Sequence, residues 1–135
     1  ALFAELGGRA MRYEDCEKLP FLTRCVMETL RLWPAVANGT FRQLQFADKV
    51  HGPGGRMVEL AEGTFVQVCN FMRHRSKATW GEDADTFNPD REFRDNELWG
   101  ESESGVGGFS GTNPASPRFS PFTFQPRDCL GKNFA

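Results

Sequence analysis

The stretch from Pro20 to Trp33 constrains this chain most, because two prolines bracket a single apolar stripe. A proline suits the first turn of a helix, where its missing N–H is not needed. Leu22, Val26 and Leu30 then recur at every fourth position, with Cys25, Thr29 and Trp33 beside them. That is helical periodicity. Pro34 disfavours helical geometry in the residue before it, so the helix is expected to end near Trp33. Within it Glu28 and Arg31 are spaced i and i+3, close enough to face each other or to share a third partner.

The rest of the chain is punctuated differently. Residues 1–10 have the pattern of a helix end, with Leu2, Phe3 and Leu6 on one face and Gly7-Gly8 as a stop. Tyr13, Cys16 and Leu19 suggest a further helical turn. After Pro34, short strands are expected at Val36-Ala37, Phe41 to Phe46, Met57 to Leu60 and Thr64 to Phe71, with a turn at Gly52-Pro53-Gly54-Gly55. A short helix fits Phe71 to Thr79. From Phe87 periodicity disappears, and the stretch from Arg94 to Ser120 is rich in Gly, Ser, Asn and Pro. A loop of that length in a compact domain is usually functional or packed against something else. The expected class is α+β, mainly α with a small β-sheet.

Composition narrows the function classes. The chain has 135 residues, 39% of them hydrophobic and 25% charged, with 16 basic against 18 acidic side chains and a net charge of -2. That balance excludes a disordered tail. No apolar run is long enough for a transmembrane helix. The charge offers no electrostatic footprint for nucleic acid. Cys16, Cys25, Cys69 and Cys129 contain no CxxC pair, which argues against structural zinc. Without a signal-like N-terminus, reduced thiols in an intracellular setting are expected.

Cys129 is the residue with the most chemistry. It stands where a loop turns into a helix beginning at Leu130. The free N–H groups and positive dipole end of a helix N-terminus favour a thiolate, which suits the axial position of haem iron. Gly131 lets a flat cofactor approach the backbone. Arg127 is placed to pair with a carboxylate such as a haem propionate, and Phe122 to cover the sulfur. The alternative is a buried or unreactive structural cysteine.

Taken together, Phe122, Arg127, Cys129 and Gly131, preceded by Pro121 and followed by Phe134-Ala135, resemble the haem-binding loop of the cytochromes P-450. Glu28-Thr29-Leu30-Arg31, followed by Leu32-Trp33-Pro34, is similar to that family's K-helix E-x-x-R. Phe87-Asn88-Pro89-Asp90-Arg91-Glu92-Phe93 is similar to its F-x-P-E-R-F segment. The sequence departs at Gln125, where the family usually has Gly. It departs mildly at Asp90, and at Glu92, which puts Phe93 one step late. Met72 to Arg75 and Trp80 to Ala84 resemble the fatty-acid and alkane ω-hydroxylase branch.

The resemblance implies that residues 1–135 are the C-terminal portion of one haem-thiolate monooxygenase domain, from the end of the J helix to the start of the L helix. Residues 1–33 would be the J and K helical region and 34–71 short strands. Residues 72–120 would be the K′ region and meander, and 121–135 the haem loop. Glu28, Arg31 and Arg91 would form a buried charge triad, and a buried charge needs its partners. Arg42 would be a second propionate-binding residue, although it is displaced by about one position and equally suits a solvent-facing strand. Val36, Ala37 and Asn38 would line a substrate pocket. The implied cofactor is haem b with its iron, with electrons from NADPH through a cytochrome reductase or a ferredoxin, Lys132 contributing to docking. The implied reaction inserts one O2-derived oxygen into a C–H bond of a lipophilic substrate, a fatty acid or alkane. A haem-thiolate hydroperoxide isomerase or peroxygenase, and an inactive truncated product, are the competing expectations. The intact protein would lie at the endoplasmic reticulum membrane through a region outside this sequence, and the 135 residues alone are expected to bind haem poorly.

Overall fold

In a computed structural model the described residues are 4, 6–12, 15, 19–94, 97, 116–122 and 129. Helix α1 spans Pro20–Leu32 with the proline in its first turn. The Trp33 N–H still reaches the Thr29 carbonyl at 2.7 Å, and Pro34 stops the ladder there. The buried face of α1 is Met27, Glu28, Arg31 and Leu32. Of the expected stripe Leu22 is exposed and Val26 and Leu30 are half-buried, so this helix turns an ion pair inward.

Four short strands follow: β1 (Thr40–Gln43), β2 (Asp48–His51), β3 (Met57–Leu60) and β4 (Phe65–Val68). They make two antiparallel pairs, one nested within the other along the chain. The inner pair sets Asp48 opposite Leu60 and His51 opposite Met57. The outer pair sets Thr40 opposite Val68 and Gln43 opposite Phe65. The inner turn is the expected one, closed by the Gly52 N–H on the Arg56 carbonyl at 2.7 Å.

Three expectations need correction. Val36-Ala37 is a turn, closed by the Gly39 N–H on the Val36 carbonyl at 2.9 Å. Its return to β1 requires Gly39 at φ 70°, and a Cβ there would lie 1.8 Å from the Val68 carbonyl oxygen. Strand β2 was not expected, because Asp-Lys-Val-His is exposed along its whole length and carries no alternation. The single helix expected from Phe71 to Thr79 is two: α2 (Asn70–His74) and α3 (Lys77–Trp80). Arg31 takes the His74 carbonyl from the helical ladder at 2.6 Å, and Ser76 restarts the chain as an extended N-cap.

Among the described residues one apolar cluster is buried. Met27, Trp80, Ala84 and Phe119 are buried, with Leu30 and Phe93 packed against them. Trp80, Phe93 and Phe119 meet edge to face, with centroids 5.0 to 6.2 Å apart, the arrangement that the ring quadrupoles favour. Among the described residues no helix is long and apolar enough to cross a membrane.

Candidate functional site

The site grows from α1. Glu28 and Arg31, one turn apart, are both 0% exposed and meet in a two-pronged pair: Nε to Oε2 at 2.7 Å and Nη2 to Oε1 at 2.8 Å. Such a fork fits a guanidinium better than any other cation. The remaining donors of Arg31 are spent on backbone carbonyls: His74 and Ala84, each at 2.6 Å, and Thr86 at 3.3 Å. Glu28 Oε1 also accepts the Asn88 N–H at 3.1 Å and Arg91 Nε at 3.0 Å. Arg91 continues to both carboxylate oxygens of Asp83 at 3.0 and 3.1 Å and to the Trp80 carbonyl at 3.2 Å. Two carboxylates thus neutralise two guanidiniums.

Burial opposes the charge of Arg91, but its bonds to Asp83 and Glu28 outweigh that and raise its pKa. The same guanidinium holds the Asp83 carboxyl below the usual range. With every donor engaged, the cluster ties α1 to the segment 74–91.

A second buried carboxylate lies beside it. Glu97 is 0% exposed. It accepts the Arg94 N–H at 2.9 Å, the Ser116 hydroxyl at 2.7 Å and Arg118 Nε at 2.8 Å, with a further short bond from Arg118 Nη2. Burial pushes Glu97 up, but these hydrogen bonds together bring it below its ordinary value. The Arg118 guanidinium sits 4.1 Å from the Trp80 ring centroid, and Arg31 lies 5.1 Å from the same ring. Trp80 therefore joins the two clusters. Nothing in the sequence marks Glu97 or Arg118, since both lie in the aperiodic Gly- and Ser-rich stretch.

The segment 116–122 leads to the thiol. The Cys129 N–H donates to the Phe122 carbonyl at 3.2 Å, which closes the loop between them. Both side chains are half-buried. Arg127 and Gly131, together with Gln125 and Lys132, lie outside the described residues.

Glu28, Arg31 and Arg91 thus come together, and Phe122 comes to Cys129. Arg42 is exposed on β1, and among the described residues its guanidinium bonds only the adjacent Phe41 carbonyl, at 2.8 Å. Val36, Ala37 and Asn38 are exposed in the turn after α1. There the Ala37 carbonyl accepts the Phe71 N–H at 3.0 Å, and the Asn38 carbonyl accepts Gln67 Nε2 at 2.8 Å.

Comparison with known proteins follows the same geometry. Cytochrome P450 714C1 of Oryza sativa subsp. japonica is 32% identical over 129 residues, 96% of this chain and 22% of that protein. The carotene epsilon-monooxygenase, chloroplastic, of Arabidopsis thaliana is 32% identical over 130 residues, again 96% of this chain and 21% of that protein. The chain thus spans about a fifth of the length of the curated relatives it matches. The crystal structure of a cytochrome P450, CYP102L1, superposes with a TM-score of 0.66 at 27% identity, covering 98% of this chain and 26% of that one. A family model described as Cytochrome P450 matches residues 4–135. A charge cluster anchored on α1, a loop closed on Cys129 and a match along almost the whole chain lead to one conclusion: the chain belongs to the cytochrome P450 family.

Proposed function

We propose that this chain forms the thiolate-ligand side of a haem-dependent monooxygenase, with Cys129 as the axial iron ligand. The observation that carries the reading is the loop closed by the Cys129 N–H on the Phe122 carbonyl, in a chain of this family. The donor chemistry fits the group: a single half-buried thiol suits a metal whose other ligands come with a macrocycle. Haem, when bound, supplies the iron at which O2 is activated for insertion of one oxygen atom into a C–H bond.

The chain's own residues hold and tune. The Cys129 sulfur, as thiolate, would hold the iron and would supply electron density to it. Phe122 keeps water from the sulfur, Arg127 pairs with a propionate, and Gly131 allows close approach. Glu28, Arg31 and Arg91 fix the 74–91 segment against α1, so the thiol is presented from a rigid base. We assign Arg42 to solvent rather than to a propionate, because its guanidinium lies along its own strand.

The substrate in this reading is lipophilic, a fatty acid or alkane. Its support is the sequence resemblance of Met72 to Arg75 and Trp80 to Ala84 to that branch. Val36, Ala37 and Asn38 present a small surface, apolar at Val36 and Ala37, for it. Electrons come from NADPH through a reductase or ferredoxin partner.

The test is Cys129→Ser in the haem-loaded protein, followed by ferrous–CO difference spectroscopy. The thiolate-type band is expected to disappear while haem is retained. A thiolate band that persists overturns the assignment.

A further inference from the structure

Arg73, on α2, has a bonding pattern that the charge clusters around Glu28 and Glu97 do not use. Its Nη1 donates to the Pro117 carbonyl at 3.0 Å. Its Nη2 donates to the Ser120 hydroxyl at 2.8 Å and to Asn70 Oδ1 at 2.7 Å, and approaches His74 Nε2 at 3.4 Å and the Ser120 carbonyl at 3.5 Å. One guanidinium thus spans the segment that runs directly into Pro121-Phe122. Its Nε is buried with no hydrogen-bond partner among the described residues. Burial lowers its pKa, and among the described residues no carboxylate offsets that. A partly buried guanidinium with no carboxylate among the described residues carries a desolvation cost that its bonds to neutral acceptors must offset. Arg31, Arg91 and Arg118 each have a carboxylate.

We propose that Arg73 is a positioning residue for the Cys129 loop: its bonds to Pro117 and Ser120 set the backbone that enters Phe122, and so hold the sulfur where a thiolate can ligate. The inference rests on the reading of Cys129 as haem ligand. The path is short. Ser120 precedes Pro121-Phe122, and the Phe122 carbonyl receives the Cys129 N–H. A planar fork fixes two acceptors at once, which a lysine ammonium cannot reproduce.

The experiment is ferrous–CO difference spectroscopy of the haem-loaded protein, comparing wild type, Arg73→Gln, Arg73→Lys and Ser120→Ala at equal haem content and at a temperature where each is folded. The thiolate-to-thiol band ratio should fall about tenfold in Arg73→Gln, the scale of a lost charge-assisted hydrogen bond. It should fall less in Arg73→Lys and in Ser120→Ala, the second of which leaves the guanidinium and its bond to the Pro117 carbonyl in place. A ratio unchanged in both Arg73→Gln and Ser120→Ala overturns the proposal and leaves Cys129 as ligand. A wild type with no thiolate band overturns the Cys129 reading itself, and the proposal with it.

Discussion

Around Glu28 the charges are inside. Glu28 and Arg31 are 0% exposed, and among the described residues the apolar cluster beside them is a handful of side chains. Between Thr40 and Val68 the reverse holds: Phe41 is 58% exposed and Phe65 73%, while the charged pair of Lys49 and Glu59 lies open to solvent at 2.6 Å. The first region is ordered by directional bonds with no spare donors. The second is ordered by ladder hydrogen bonds and tight turns. The exposed ion pair adds only a few tenths of a kcal/mol. The contrast teaches that side-chain identity matters most where the charge is buried, and backbone conformation most where the side chains are exposed.

The largest effect tests the first half of that statement. Glu28→Ala leaves Arg31 without its carboxylate and Arg91 with Asp83 alone, and should cost about 3 to 5 kcal/mol of stability, measured by denaturant unfolding. A loss below about 1 kcal/mol would mean that backbone carbonyls suffice for Arg31.

The second prediction puts a comparable effect into the exposed region. Gly39→Ala forces a positive φ on a residue with a Cβ that would meet the Val68 carbonyl oxygen at 1.8 Å. A loss of more than about 2 kcal/mol is expected, with faster amide exchange along β1 and β4. An unchanged melting temperature would show that the outer strand pair can shift freely.

The smallest effect is graded by pH. His74 is fully buried, and burial followed by the neighbouring Arg73 charge pushes its imidazole down to about 3. The unfolded chain takes up that proton near pH 6.5, whereas the folded chain does not. Stability therefore falls as pH drops below about 6.5, by about 1.4 kcal/mol per unit, or about 2 kcal/mol between pH 7 and 5. His74→Phe should flatten that slope, and a slope that stays the same assigns it to other groups.

Much of the fold was legible for local reasons. Pro20 and Pro34 bound α1, and Gly52 to Gly55 marked a turn, because proline and glycine act on their own backbone. Strand β2 was not legible, since every side chain on it faces solvent and leaves no alternation. The break between α2 and α3 was not legible either, because the group that takes the His74 carbonyl lies on α1. The meeting of Glu28 and Arg31 with Arg91 was visible only through a family resemblance, as no periodicity links residues so far apart. Glu97 and Arg118 carried no signal, and Arg73 only the resemblance of the stretch Met72 to Arg75, which said nothing of its bonding. Their roles exist only once the segment 116–122 is laid against α2 and Trp80.

The reach of the Glu28 cluster has a kinetic consequence. Glu28 and Arg31 can pair as soon as α1 forms, but their other partners lie 43 to 63 residues further along the chain. Closing such loops costs entropy before any contact repays it. Until Arg91 arrives, the pair on a nascent α1 must stay hydrated. Its dehydration is therefore a late and concerted event in folding, and a chain interrupted before Arg91 holds a helix whose inner face is still a surface.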